Sequence, residues 1–305
     1  MALPAPEWDN SLFVFHRVPT VDRLTAHRQF FARLITSNAG VREPNSRLQA
    51  AFAAVPREDF LGPGPWKIFV GSGWIETPTD DPCFLYQDVV VAISPERKIN
   101  NGQPVLHALC LTALNLQEGE TVVHIGAGTG YYTAILANLV GPSGSVIAYE
   151  VETDLGATAS KNLAHFPNVT VHARSASLGP LPSCDAIYVS AGATSPLDTW
   201  LDALRPNGRL LFPLTPGDGP GEAAGIGAML LVTRTTEARF AARFLCQAAF
   251  IHCAGARDDE TAEKLAIAFK RGDFRNVRSL RRNAPPDNTC WCSGPTSWLS
   301  IAEPG

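Results

Sequence analysis

Long apolar runs are missing from this sequence. No window approaches the roughly 18 uninterrupted apolar residues that a membrane-crossing helix needs, so the expectation is a soluble protein without a membrane partner. Cysteine is present but unorganised: Cys83, Cys110, Cys184, Cys246, Cys253, Cys290 and Cys292 are odd in number and follow no framework spacing, which argues against a disulfide scaffold. With no charged-then-apolar leader at the start, the chain reads as cytoplasmic with reduced thiols. Nor is there a second close cysteine pair to complete a zinc site with Cys290 and Cys292, so no metal is expected. A surplus of one charge is lacking as well. A net charge of −4 and a pI near 6.0 leave no electrostatic footprint for nucleic acid. The local exception, RNVRSLRR from Arg275 to Arg282, reads as a solvated helix face, with a basic patch as the other reading. No internal repeat is visible.

What remains is an ordinary globular composition. In 305 residues, 45% are hydrophobic and 18% charged, enough to bury a sizeable core. VDRLTAHRQFFARLITS has near-helical apolar spacing, and NSRLQAAFAAVP predicts a second helix with Asn45 or Ser46 as N-cap and Pro56 as its stop. From Gly62 to Pro82 the segments GPGPW and PTDDP break both periods and predict a loop-rich wrap. After Pro104, VLHALCLTALNL returns to helical spacing, with the proline in a first turn where its missing N–H costs nothing.

From there β-branched segments recur at Thr121 to Ile125, Ser145 to Tyr149, Val169 to Ala173, Ala186 to Val189 and Arg209 to Pro213. Helical stretches such as YYTAILANLV, TDLGATASKNLAHF and SPLDTWLDAL lie between most of them. Strands alternating with helices of this length predict a parallel sheet covered on both faces. Two further strands are expected near Ala228 to Thr233 and Ala241 to Ile251, then a capped helix, DDETAEKLAIAFKRG, ending at Gly272, and an irregular tail around PPDNTCWCSGP.

The chemistry is carried by TVVHIGAGTGYYTAILANLV, residues 121 to 140. A strand ending in GAGTG and running straight into a helix presents backbone amides at a helix N-terminus, where a nucleoside or an anion can approach closely. The loop alone also matches dinucleotide folds and plain tight turns. Glu150, at the end of the next strand and 20 residues after Gly130, suits a carboxylate accepting both ribose hydroxyls, a geometry that serves NAD and S-adenosylmethionine alike. Against a dinucleotide fold, Tyr131 and Thr133 stand where a later glycine would be sought. The subsequent DAIYVSAGA and LDALRPNGRLLFPL, in the order strand, helix, RPNG turn, strand, resemble the Rossmann-like methyltransferases.

The resemblance narrows when the segments are taken in order. RLQAAFAAVPREDFLGP, LYQDVVVAIS, NNGQPVLHALCLTAL, VVHIGAGTGYYTAILANLVG, CDAIYVSAGAT and LRPNGRLLFPL follow one another as in the protein-L-isoaspartate O-methyltransferase family, over about residues 45 to 215. The resemblance implies an α/β fold with a seven-stranded mixed sheet flanked by helices, S-adenosyl-L-methionine as methyl donor with S-adenosyl-L-homocysteine as product, and a protein or peptide carboxylate as acceptor. It also implies an organisation of residues 1–104 as a helical, loop-rich segment contributing to the acceptor site, 105–255 as the cofactor-binding core, and 256–305 as a C-terminal helix and irregular tail. The cofactor residues it implies are Gly126, Ala127, Gly128, Thr129, Gly130, Glu150, Val151, Ser175, Ala176 and Ser190.

The sequence departs from the family at three places. The family's Thr-Ile-Ser before the first core helix, whose serine lies at the methyl donor and acceptor, is here Asn100, Asn101 and Gly102. The family's Gly-Asp-Gly, whose carboxylate reads the adenine amino group, is here Arg174, Ser175 and Ala176, and the acid that opens the glycine motif is His124. His124 is expected to be a hydrogen-bonded core residue with no role in proton transfer.

A carboxylate acceptor is already ionised at pH 7 and needs no general base, consistent with the lack of a convincing base near the loop. His107 is the nearest by sequence and is expected to serve core or helix packing. The catalytic positions are assigned to Asn100, Asn101, Gly102 and Gln103, whose amides could orient a carboxylate or simply form a polar turn. With Gly102 in place of serine, poor activity on a generic isoaspartyl peptide is expected. A small-molecule or natural-product acceptor, or a protein that binds the cofactor without turnover, are the alternatives.

Overall fold

The computed structural model describes residues 22–43, 46–71, 73–217 and 224–304. Helices α1 (Arg23–Asn38) and α2 (Arg47–Ala54) open it, each started by a side-chain cap: Asp22 accepts from the Thr25 amide and Ser46 from the Gln49 amide. Asn45, the other cap expected for α2, lies outside the described residues. Strands β1 (Lys67–Phe69), β2 (Trp74–Glu76), β3 (Val90–Ser94) and β4 (Ile99–Asn100) form a small antiparallel sheet in the order β2-β1-β3-β4. The segment from 62 to 82, expected to be loop, thus contains a hairpin. Its strands are three residues each, too short for an alternating pattern to register.

Helix α3 (Pro104–Leu114) leads into the main sheet, built from β5 (Thr121–Ile125), β6 (Ser145–Tyr149), β7 (Val169–His172), β8 (Cys184–Val189), β9 (Leu204–Leu214), β10 (Ala224–Arg234) and β11 (Phe240–Ile251). Between them run α4 (Tyr131–Val140), α5 (Thr153–Asn162) and α6 (Asp198–Ala203). These are the seven expected strands, parallel from β7 through β9 and antiparallel beyond. The parallel strands are buried on both faces, so Val122, Val123, Ala186, Ile187 and Leu210 have no exposure and the pattern is continuous rather than alternating. The expected RPNG turn lies inside β9, where Asn207 takes a positive φ of 62°.

The sheet has ten strands, in the order β13-β14-β12-β11-β10-β9-β8-β5-β6-β7. After α7 (Asp259–Lys270), the strands β12 (Ser279–Arg282), β13 (Cys290–Ser293) and β14 (Ser297–Ser300) extend the same sheet past β11. Two expectations are corrected here. The tail is not irregular, and the run Arg275 to Arg282 is a 3₁₀ turn followed by β12 rather than a solvated helix face. The strand is held by its partners rather than by an alternating pattern: Ser279 and Leu280 are both buried, and Arg282 pairs with Asp198 and Asp202 on α6. Phe244, Phe269, Phe274 and Trp291 meet edge to face with centroids 5.3 to 5.8 Å apart, which pins the tail to β11 and α7.

Candidate active site

The chain runs from β5 to β6 and β7 on one side and then crosses to β8 and β9 on the other. This reversal leaves a crevice at the carboxyl ends of β5 and β8, the place where open α/β sheets bind ligands. The glycine loop lies across it. Gly126, at φ 80°, donates its amide to the Tyr149 carbonyl at 2.9 Å, and Gly128, at φ 57°, donates to Glu150 Oε2 at 2.7 Å. A Cβ placed on Gly128 would find nothing nearer than Ile93 Cδ1 at 3.9 Å, so space lies open above this position. Gly130 has a different task. At φ 101° it begins α4, and a Cβ there would stand 2.8 Å from Leu163 Cδ1, so this glycine lets α5 pack close and lines neither cavity.

Two connected cavities flank the loop. The smaller, of about 200 Å³, is walled by Glu150, Val151, Ser175 and Ala176 from the ends of β6 and β7. The larger, of about 530 Å³, is lined by Asn100, Asn101, Gly102 and Gln103, together with Ala127 and Thr129. Gly126, Gly128 and Ser190 belong to both.

Glu150 is 7% exposed and accepts from two amides, Gly128 at Oε2 and Glu152 at Oε1, the latter at 3.0 Å. Burial pushes its carboxyl above the usual range, and these amides pull it back. Ser175 bonds to the Ser177 hydroxyl at 2.7 Å and takes the Ser177 amide at 3.2 Å, so its oxygen is already engaged within its own turn. Sequence reasoning missed the wall opposite: His252, Cys253 and Ala254, just past β11, close the smaller cavity from a point far along the chain, and no local signal announces it. Arg174, whose guanidinium lies 5.0 Å from the Tyr149 ring centroid, was named only as a departure and lines the same cleft.

On the larger cavity, each of the amide side chains assigned to the acceptor is held by a protein partner. Asn100 Oδ1 accepts from the Gly102 amide at 2.9 Å, Asn101 Oδ1 accepts from Arg57 Nε at 3.2 Å, and Gln103 Nε2 donates to Asp88 Oδ2 at 2.8 Å. Arg57 itself has no exposure. It also donates to the carbonyls of Leu85, Gln87, Val89 and Gly102, at 2.8 to 3.4 Å, and so ties the strap before β3 to the turn before α3. Lys98 is the one Lys, Arg, Asp or Glu lining this cavity among the described residues.

His124 is the core residue expected: Nδ1 meets Thr133 Oγ1 at 2.8 Å, Nε2 meets Ser190 Oγ at 3.1 Å, and burial lowers its pKa to about 3. His107 is 2% exposed and packs as expected, yet its ring edge also lines the cavity. Thr129 Oγ1 and the Tyr132 hydroxyl are buried against this cavity without a hydrogen-bond partner. No group of three or more His, Cys, Asp or Glu side chains is gathered as a metal site among the described residues.

The family model for protein-L-isoaspartate(D-aspartate) O-methyltransferases matches residues 74–252, more than half of the chain. The chain belongs to this family. Among curated isoaspartyl methyltransferases, that of Rhodopseudomonas palustris is 31% identical over 221 residues, covering 71% of this chain and 88% of the relative. The Methanothrix thermoacetophila enzyme is 30% identical over 174 residues, covering 56% and 74%. For the Thermotoga maritima enzyme, at 27% over 176 residues, the match spans 56% of this chain and only 51% of the relative. Among solved structures, a protein-L-isoaspartate O-methyltransferase aligns with a TM-score of 0.60 at 22% identity, over 80% of this chain and 69% of the other. A Plasmodium falciparum chain assigned to the same class, in complex with S-adenosyl-L-homocysteine, aligns at 0.57 and 18%, over 74% and 97%. At these identities the structural likeness shows the fold, that of S-adenosylmethionine-dependent methyltransferases. The isoaspartyl methyltransferase match takes in both cavities apart from their rim at Phe69, Cys253 and Ala254, and stops short of α7 and β12 to β14.

Proposed function

We propose that this chain transfers the methyl group of S-adenosyl-L-methionine to a carboxylate of a protein or peptide. The observation that carries the reading is the pairing of an open glycine loop and a buried ribose-type acid, Glu150, in one cavity with a contiguous second cavity whose lining has Lys98 as its one permanently charged side chain. The residues present fit the donor. Space stands open above Gly128, Glu150 has acceptor capacity left on both oxygens for ribose hydroxyls, and Thr129 Oγ1 is unpartnered on the wall of the larger cavity.

When bound, the donor supplies a methyl group on a sulfonium, which leaves by in-line displacement. The protein's part is to hold the acceptor oxygen collinear with that methyl in a dry site. The apolar walls, Ile93, Leu106, Phe250 and Ile251, exclude water, and Lys98 draws a carboxylate inward. No proton has to be removed from such an acceptor. This agrees with a cavity whose imidazole is held neutral by burial, well below the ordinary histidine value, and is therefore a poor fit to an amine or alcohol that must lose a proton.

The test is calorimetric titration with S-adenosyl-L-homocysteine, followed by transfer of labelled methyl to an acetylated isoaspartyl-glycine peptide amide and its aspartyl twin. Gly128→Val combined with Glu150→Ala is expected to weaken homocysteine-nucleoside binding about 100-fold or more. Product methyl groups should leave as methanol in mild base. Base-stable product would overturn the carboxylate assignment, and binding without transfer to any acceptor would mark a non-catalytic relative.

A further inference from the structure

The turn before α3 and the first turn of α3 meet in an unusual way. Gly102 sits at φ 70°, and a Cβ built on it would lie 2.3 Å from His107 Nε2, against 3.0 Å from Cδ2 and 3.4 Å from Cε1. The imidazole thus points its Nε2 corner into the space where a side chain at position 102 would begin, on the wall of the larger cavity. Three contacts fix it there. Its ring lies flat on Tyr132, with centroids 3.5 Å apart and planes 9° apart, its Nδ1 is 2.6 Å from the Tyr188 hydroxyl, and Tyr188 and Phe250 meet it edge-on.

We propose that His107 is an acceptor-binding residue, its Nε2–H donating a hydrogen bond to one oxygen of the acceptor carboxylate so that the other oxygen faces the methyl group. The inference rests on the function proposed above and names the group that orients that site's acceptor. A phenol is a better donor than a neutral imidazole N–H, so Tyr188 gives its proton to Nδ1 and leaves the ring's single hydrogen on Nε2. Burial keeps the ring neutral, so that hydrogen is the only one it has to offer. An N–H aimed at a carboxylate forms a charge-assisted bond, and a ring stacked on Tyr132 and held by Tyr188 and Phe250 loses little entropy in making it. Arg57 fixes the Asn101 amide through its oxygen and Asp88 takes one N–H of Gln103, so the orientation of both amides is set by protein partners.

The experiment exploits the two nitrogens. A glutamine amide nitrogen reaches the position of Nε2, whereas that of asparagine reaches only the position of Nδ1, and phenylalanine keeps the stack on Tyr132 without either. His107→Gln, His107→Asn and His107→Phe are compared by melting temperature, by S-adenosyl-L-homocysteine affinity, and by kcat/KM for acetylated isoaspartyl-glycine and aspartyl-glycine peptide amides. All three should bind the nucleoside as the parent does. His107→Gln should stay within a few-fold of the parent kcat/KM, and His107→Asn and His107→Phe should fall about 10- to 100-fold. Equal loss in the glutamine and asparagine variants, or full activity in the phenylalanine variant, would overturn the assignment. A readout without turnover separates it from the broader proposal: in nucleoside-saturated protein, adding either peptide should move the His107 Nε2–H resonance in ¹⁵N-imidazole spectra. A shift without methyl transfer supports the acceptor contact while the methyltransferase reading fails, and an unmoved resonance at saturating peptide sinks the contact itself.

Discussion

Acidifying the protein from pH 7.5 to 5.0 should destabilise it through its two fully buried imidazoles, before ordinary carboxylates begin to titrate. His124 has its pKa lowered by burial to about 3, against about 6.5 in an unfolded chain. A histidine whose folded value is depressed contributes nothing at pH 7.5, where neither state is protonated. As the pH falls below 6.5, the unfolded chain takes up a proton that the folded chain refuses, and stability declines until the folded value is reached. The cost is about 0.8 kcal/mol at pH 6 and about 2 kcal/mol at pH 5 for this one group. His107, lowered in the same direction by burial and by His124, adds to the loss in the same sense. Glu150 works against this, because its raised carboxyl binds a proton more readily in the folded state. The comparison that isolates the histidine is His124→Asn, which keeps a polar group beside Thr133 and cannot ionise. Urea unfolding of parent and variant at pH 7.5, 6.0 and 5.0 should show the parent losing about 2 kcal/mol more than the variant across the range. Parallel stability curves would refute the claim that His124 is buried and neutral.

Arg57→Ala should cost about 3 kcal/mol or more in urea unfolding, since four carbonyls and the Asn101 side chain lose a buried donor together, and should raise protease sensitivity between residues 85 and 102. A stability change under 1 kcal/mol would contradict the bridging role. Gly130→Ala should lower stability by about 1–3 kcal/mol, through its positive φ and its approach to Leu163, while S-adenosyl-L-homocysteine affinity per folded molecule stays near the parent's. A selective loss of affinity would show that Gly130 contacts the ligand after all.

The parallel half of the sheet was legible because its strands are continuous apolar runs and β5, β6 and β8 are each followed by a helix, so Thr121–Ile125 and Ser145–Tyr149 were read to the residue. The tail was not. In β13 the register shifts between Cys290 and Cys292, and strands of four residues cannot display a period through such a bulge. What holds them is long-range: Trp291 packs on Phe244 and Phe269 and donates its indole N–H to Asp273. The site divides the same way. The positions of Gly126, Gly128 and Glu150 follow from a local motif, whereas the engagement of Gln103 by Asp88 and of Asn101 by Arg57 joins residues 15 and 44 positions apart, which no spacing rule reports.

The wall shared by the two cavities also couples them. Asn100, Gly126, Gly128, Ser190 and Ile251 face both compartments, so a ligand on either side rests against the same residues. Thermodynamic linkage makes that influence reciprocal: whatever factor a bound nucleoside adds to acceptor affinity, the acceptor returns to the nucleoside. For the proposed reaction this makes the affinities of nucleoside and acceptor one coupled quantity, measurable by titrating either in the presence of the other.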